Sequence, residues 1–261
     1  MFFTEERRKA ILTLLKVNKK IYVNELSERF QVSSTTIRND LTFLEKKGYL
    51  KRTFGGAIQI QGVSFEMINS EKYNVNLQEK IKIGKYAASL VEDGDTIALD
   101  CGTTTYCMAE FLDDKKHLTV ITNDLKIALL FEEYSHISTI FIGGTIRKGF
   151  SCTVGAIANN FINTLKVDKS FIVANTISDE FAVSTPDSEQ AEIKKQLMNI
   201  ATQKYLLCDS SKFNQVSLIT FASLHDFDEI ITDEHLDNDI LRSAKKQAIK
   251  LTAFKGENED D

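Results

Sequence analysis

The chain has 261 residues, 32 Lys+Arg against 37 Asp+Glu for a formal net charge of −5, and a composition that is 43% hydrophobic and 26% charged. At roughly 100–200 residues per domain this length predicts two domains, with a core large enough to need no disulfide staples. The composition excludes a disordered chain, no run approaches the roughly 20 apolar residues of a membrane span, and Met1-Phe2-Phe3-Thr4-Glu5-Glu6 lacks the form of a signal peptide. Cys101, Cys107, Cys152 and Cys208 form no CxxC pair and no metal-ligand spacing with His. That predicts buried reduced thiols, no metal, no cofactor and a cytoplasmic location.

The charge is unevenly spread. Residues 1–60 hold 12 Lys+Arg against 6 Asp+Glu, a net of +6, and residues 61–261 hold 20 against 31, a net of −11. Such asymmetry suggests a basic module that meets a polyanion, attached to an acidic body. Thr4-Glu5-Glu6-Arg7 has the start of a capped helix with acidic residues in its first turn, and Ile11, Leu12, Leu14 and Leu15 form its apolar stripe. Ile21 and Val23 read as a short extended piece, and Asn24 as the cap of a second helix from Glu25 to Phe30. After Gln31-Val32-Ser33 a third helix runs from about Ser34 to Lys47, burying Ile37, Leu41 and Leu44, and Gly48 stops it. Tyr49 to Phe54 alternates like a strand, Gly55-Gly56 turns, and Ala57 to Ile60 returns as the second strand of a wing.

Two short helices joined by a tight turn, the second led by small polar residues, fit a helix-turn-helix. The first turn of a recognition helix must enter the major groove, so its exposed residues are small or are long donors. Ser34, Thr35, Thr36, Arg38 and Asn39 are the candidate base and phosphate contacts, and Lys51 and Arg52 of the wing lie along the backbone. Val32-Ser33-x-x-Thr36-Ile37-Arg38-x-Asp40-Leu41-x-x-Leu44-Glu45-x-x-Gly48-x-Leu50-x-Arg52-x-x-Gly55-Gly56-Ala57 resembles the signature of the DeoR-type bacterial regulators. Two positions depart from that family: Asn39 stands where it has a second Arg, and Phe54 where it has His. One cation fewer implies one phosphate contact fewer, hence a lower salt slope.

The acidic body alternates. A helical pattern covers about 76–91, strands fall at Asp95–Asp100, Leu118–Thr122, Ser138–Ile142, Lys169–Ala174, Lys204–Cys208 and Glu229–Thr232, and helices at 104–112, 124–133, 156–164, 188–203 and 236–247. This predicts an α/β domain with a mainly parallel sheet covered on both faces. Residues 61–75 lack a periodic core and read as a linker, so the expected division is 1–60, a linker 61–75, a body 76–252 and an acidic tail 253–261.

In such sheets ligands bind at the carboxyl ends of the strands. There the chain has Asp100-Cys101-Gly102-Thr103-Thr104-Thr105, Thr122-Asn123-Asp124, Gly143-Gly144-Thr145-Ile146-Arg147, Ser184-Thr185-Pro186 and Asp209-Ser210-Ser211-Lys212-Phe213. Amides, hydroxyls, an Arg, a Lys and a carboxylate together suit a small phosphorylated polyol. The same motifs resemble the sensor domain of the DeoR family, similar in fold to ribose-5-phosphate isomerase and coenzyme A transferases. The resemblance implies a phosphate at Gly102, Thr103, Thr104 and Thr105, with Asp100 and Lys212 near the sugar and Arg147 as a second anion ligand. Thr122, Asn123 and Asn175 complete the candidate ligand set; relatives have Asp where this chain has Asn175.

The reading is therefore a repressor of a carbohydrate-utilisation operon that binds double-stranded operator DNA, acts as a homo-oligomer (dimer or tetramer) and is released by a phosphorylated sugar. The alternative is a sugar-phosphate isomerase, deaminase or acyl transferase on the same fold, with Asp100 or Glu189 as base and Lys212 as proton donor. Against it, no His stands at a strand end and no second carboxylate pairs with Asp100.

Overall fold

Apolar residues three and four apart build the basic end of the chain. The computed structural model describes residues 3–46, 49–59, 63–64 and 66–254, and the chain divides into two compact units, residues 1–65 and 66–261. The first unit runs α1 (Thr4–Asn18), β1 (Lys20–Tyr22), α2 (Val23–Phe30), α3 (Ser34–Lys46), β2 (Leu50–Thr53) and β3 (Gly56–Gln59). Its core joins Ile11 and Leu15 of α1, Leu26 and Phe30 of α2, and Ile37, Leu41 and Leu44 of α3 with Ile21, Leu50 and Ala57 of the strands. Asp40 on α3 is almost fully buried and accepts hydrogen bonds from Arg7 Nε at 2.6 Å and Arg8 Nε at 2.8 Å, which braces α3 to α1.

Four details differ from the sequence expectation. Thr4 is the first helical residue rather than the cap; the Glu6 carboxylate reaches back to the Phe3 amide at 3.0 Å. Val23 and Asn24 already lie inside α2, which follows Tyr22 directly. Ser33 belongs to α3 as its cap, because its hydroxyl accepts the Thr36 amide at 3.1 Å. The wing has three strands, in the antiparallel order β1-β3-β2, because β1 pairs with β3 from Lys20↔Ile58 to Tyr22↔Gly56. That pairing needs glycine at 56, where a Cβ would stand 2.1 Å from the Ile21 carbonyl oxygen. The expected helix end at Lys47 and Gly48 and the strand end at Ile60 lie outside the described residues.

The second unit continues with α4 (Asn69–Lys72), α5 (Leu77–Ser89), β4 (Thr96–Leu99), α6 (Thr103–Ala109), β5 (Thr119–Thr122), α7 (Leu125–Glu132), β6 (Ser138–Phe141), β7 (Thr145–Arg147), β8 (Cys152–Val154), α8 (Ala156–Ile162) and β9 (Val167–Val173). It ends with β10 (Thr176–Ile177), β11 (Ala182–Thr185), α9 (Ser188–Asn199), β12 (Ala201–Leu207), β13 (Ile219–Ser223), β14 (Glu229–Asp233), α10 (Asn238–Lys246) and β15 (Leu251–Phe254). Seven strands form one parallel sheet in the order β15-β14-β12-β9-β4-β5-β6. Alternate residues face opposite layers: Ile97, Leu99, Phe171, Leu207 and Ile231 pack under α5, α6 and α7, while Ala98, Ile172, Leu206 and Ile230 pack under α8, α9 and α10. Burying a side chain such as Phe131 or Phe171 stabilises the fold by about 1.5–3 kcal/mol.

Two smaller assemblies sit beside this sheet, the hairpin β7-β8 and the antiparallel sheet β10-β11-β13. The chain proceeds outward from β4 through β5 to β6, then returns to the other side of β4 as β9. Adjacent β4 and β9 thus send their connections in opposite directions, which opens a crevice at their carboxyl ends. The segment expected to be a linker is instead ordered against this unit from Glu66 onward and contains α4. The expected acidic tail is strand as far as Phe254, and its remainder lies outside the described residues.

Candidate functional site

On the basic unit, Thr35, Arg38 and Asn39 of α3 are exposed, Ser34 and Thr36 are half-buried, and Lys51 and Arg52 of β2 are exposed. The Thr36 hydroxyl pairs with that of Ser33 at 2.9 Å. Arg52 is oriented by α3: its amide donates to Glu45 Oε1 and its Nη1 to Thr42 Oγ1, both at 2.8 Å. Arg38 and Arg52 share one concave surface with Val23, Thr53, Phe54, Gly55 and Gly56, and no carboxylate lines it. Such a surface attracts anions and repels nothing that carries phosphate.

In the second unit the residues expected to meet a ligand do gather at the carboxyl ends of β4, β5, β9 and β12, and several are already engaged. The Thr105 hydroxyl donates to the Asp100 carbonyl at 2.7 Å, and that of Thr122 to the Leu99 carbonyl at 2.8 Å, so both serve the fold. Asn123 Nδ2 donates to the Thr153 carbonyl at 2.9 Å, leaving its buried Oδ1 without a partner. Asp100 is completely buried; its Oδ2 accepts the Val173 amide at 3.0 Å and is ion-paired with Lys194. Through Oδ2 it clamps β4 to β9, while its buried Oδ1 has no partner among the described residues. Arg147 is held by Glu66 at 2.8 Å and Asp187 at 3.4 Å, and it stacks on Phe150 at 3.6 Å. Asn175 bridges Glu66 Oε1 and the Thr185 hydroxyl, each at 2.9 Å.

Three ammonium groups remain directed to this region. Lys212, after β12, lies 3.6 Å from Asp209 Oδ2. Lys72 of α4 lies 2.7 Å from Glu66 Oε1. Lys80 of α5 is almost fully buried and donates to the Lys72 carbonyl at 2.6 Å. Burial depresses Lys80 to about 8, and the charges of Lys212 and Lys72 push it the same way against the pull of Asp209. Lys72 is also depressed, first by burial and further by Lys212, although Glu66 opposes the shift. Burial works to raise the carboxyls of Glu66 and Asp209, but the surrounding cations and hydrogen bonds win and hold each at about 2. Asn76 fixes Asp209 and Ser211 at 2.8 and 3.2 Å. Gly102, Thr103 and Thr104 open α6 beside these groups, and the hydroxyls of Thr103 and Thr104 have no partner among the described residues. The buried Asp124 carboxyl, which accepts the Lys126 and Ile127 amides at 2.8 and 3.3 Å, is raised by burial.

Glu66, Lys72, Lys80 and Lys194 were missed by sequence reasoning, although two of them left a signal. Lys80 stands three, four and seven residues before the buried Ile83, Gly84 and Ala87, and Lys194 falls among Gln190, Ala191, Leu197 and Met198. A lysine on the apolar stripe of a helix is a buried lysine and needs a partner. All four cysteines are buried free thiols; burial lifts Cys107 to about 11, which makes it a poor nucleophile. Among the described residues no helix is long and apolar enough to cross a membrane.

Known proteins match the chain along both units. Residues 7–62 match the family model of the DeoR-like helix-turn-helix domain, and residues 75–234 that of the DeoR C terminal sensor domain. The chain is 36% identical over 232 residues to the HTH-type transcriptional regulator FruR of Bacillus subtilis (strain 168), covering 88% of this chain and 91% of that protein. It is 36% identical over 253 residues to the HTH-type regulator YgbI of Escherichia coli (strain K12), covering 97% and 98%. It is 34% identical over 235 residues to the lactose phosphotransferase system repressor of Lactococcus lactis subsp. lactis, covering 89% and 92%. Among solved structures it is similar to ribose 5-phosphate isomerase A from Methanocaldococcus jannaschii, with a TM-score of 0.39 and 19% identity over 53% of this chain and 55% of that one. A basic helix-turn-helix and an α/β sensor, matched along nearly the whole length by regulators of this architecture, make the chain a member of the DeoR family of DNA-binding transcriptional regulators.

Proposed function

We propose that this regulator represses a carbohydrate-utilisation operon and leaves its operator when a phosphorylated sugar enters the crevice at the ends of β4, β9 and β12. Lys80 carries the proposal. A buried ammonium held by a backbone carbonyl, beside two further lysines, is stabilised by a ligand anion that supplies the missing charge. Lys72, Lys80 and Lys212 hold the phosphate, with the Thr103 and Thr104 hydroxyls and first-turn amides of α6 as further donors. Asp209, fixed by Asn76, accepts from a sugar hydroxyl. Relatives named as a lactose phosphotransferase system repressor and a putative aga operon transcriptional repressor support the repressor role and the carbohydrate class.

On the DNA side, Thr35, Arg38 and Asn39 read the major groove, Ser34 and Thr36 contact phosphate, and Lys51 and Arg52 follow the backbone. Release requires only that the ligand favour the arrangement that fits DNA poorly; a coupling of about 1–3 kcal/mol changes affinity roughly 5- to 150-fold. The regulator works as a homo-oligomer through a charge-poor face of the second unit. From Ser138 to Leu165 the charged residues are Arg147 and Lys148 alone, and Ile146, Ile157 and Phe161 are exposed there. In a body of net charge −11, such a face is where two copies meet with least repulsion.

A thermal-shift panel of sugar mono- and bisphosphates, with the unphosphorylated sugars as controls, tests the sensor. A ligand at 100 times its Kd adds about 2.7 kcal/mol of stability. Equal shifts with phosphorylated and parent sugars, or operator binding no tighter than to a random duplex at physiological salt, would refute the proposal.

A further inference from the structure

We propose that Phe54 is a minor-groove contact, an apolar ring that the wing inserts against the deoxyribose walls of the duplex flanking the site read by α3. Among the described residues Phe54 is the most exposed large apolar side chain, at 109% of its reference area. No described residue of its own unit covers it, and apolar surface of that size in water favours a partner that buries it.

The tip that carries it is fixed. Strands β2 and β3 pair from Leu50↔Gln59 to Thr53↔Gly56, and β1 lies against β3. The Gly55 carbonyl accepts the Val23 amide at 2.9 Å, and Gly55 takes the positive φ of +86° that lets the two-residue turn close. Phe54 is therefore presented at a defined place and loses little freedom on binding.

The surroundings identify the occupant. Phe54 lines the concave surface that Arg38 and Arg52 share. Arg38 belongs to α3 and Arg52 is tied to α3 through Thr42 and Glu45. With α3 in the major groove, the phosphate strand that borders the groove crosses the two guanidinium groups, and the next feature beyond that strand is the minor groove. Sugar edges there are apolar, whereas a protruding guanine amino group crowds the floor. The ring thus favours A·T pairs at the flank, a preference exercised without a hydrogen bond.

The inference rests on α3 as the reading helix, and the test separates the two. Duplexes are selected from a randomised pool with the full-length wild-type chain, and affinity, hydroxyl-radical protection of sugars and guanine N7 methylation interference are measured on the selected duplex. Phe54→Ala is expected to lose about 10- to 100-fold in affinity. It should lose sugar protection at the flank while keeping the N7 interference pattern and its melting temperature, and Phe54→Leu should retain part of the protection. Inosine for guanine at a G·C-substituted flank should restore wild-type binding. Unchanged affinity of Phe54→Ala, or a loss of affinity with flank protection intact, overturns the inference. A loss traced to self-association of the DNA-free chain in sedimentation overturns it as well. If the wild-type chain selects no duplex, the reading of α3 fails, and this inference with it.

Discussion

Glu66 and Arg147, 81 positions apart in sequence, are joined by a 2.8 Å ion pair, and the same carboxylate takes Lys72 and Asn175 on its other oxygen. An internal anion thus already holds two cations and an amide at the mouth of the crevice. Glu66→Gln leaves Lys72 without its carboxylate and Arg147 with Asp187 alone, and should tighten binding of a phosphorylated sugar about tenfold, or ~1.4 kcal/mol. The same change should lower unfolding stability by about 3 kcal/mol, because a mostly buried pair loses one member. Calorimetric titration and thermal unfolding of the same preparation check both signs together.

Lys80 sets the expected pH dependence. Its ammonium, at about 8 in the folded protein, binds an anion only while protonated, and the anion in turn raises its pKa. Phosphate monoesters complete their second ionisation near pH 6. Ligand affinity should therefore be level near pH 7, fall as pH rises through 8, and be accompanied by proton uptake around that pH. Lys80→Arg keeps its charge and should flatten the fall, which binding isotherms between pH 7 and 9 would detect. A fall that persists unchanged in Lys80→Arg would assign it to another group.

The two units should fail separately. Arg38→Ala should abolish operator binding in a mobility-shift titration while the thermal shift by sugar phosphate remains. Thr104→Val combined with Lys212→Ala should bind operator as the wild type does and ignore the ligand. Loss of both properties in either variant would contradict the division of labour.

Asp100 and Lys194 form a fully buried pair beneath the crevice, where Lys194 also donates to the Val173 carbonyl at 3.0 Å. Lys194→Met strands the carboxylate and should cost about 3–5 kcal/mol in denaturant unfolding. Adding Asp100→Asn removes the stranded charge and should recover most of that loss. Recovery in the double variant distinguishes charge burial from lost packing.

Ile157 and Phe161 lie one turn apart on the exposed side of α8. Replacing both with Glu puts like charges across any symmetric contact made there. The expected outcome is a sedimentation shift to monomer, with weaker operator binding and unchanged helix content.

Six of the seven strands of the parallel core were readable because they alternate between two apolar layers and the helices repeat at three and four; the edge strand β15 was not. Strands outside that sheet escaped notice: β7, β8, β10 and β11 hold only two to four residues each, and β13 takes its pairing from β11, distant in sequence, as Ala182↔Ser223 does. The motif residues of the crevice were readable as a set, but not what each is bonded to. Thr105 and Thr122 look like ligand hydroxyls in sequence and are backbone braces in the fold. Glu66 could not be found locally, since its partners Arg147 and Asn175 lie 81 and 109 positions away.

The brace formed by Asp40 with Arg7 and Arg8 has a consequence for genetics. A selection for loss of regulation would return substitutions at Asp40 beside those at Arg38, although the Asp40 side chain is 2% exposed and engaged with Arg7 and Arg8. Such alleles report a loosened α3, and they are suppressible from within the protein. Neutral replacements at Arg7 and Arg8 remove the stranded guanidinium charges and should restore part of the lost function. No change to the operator would do so. Allele-specific suppression therefore separates the residues that hold the reading helix from those that read.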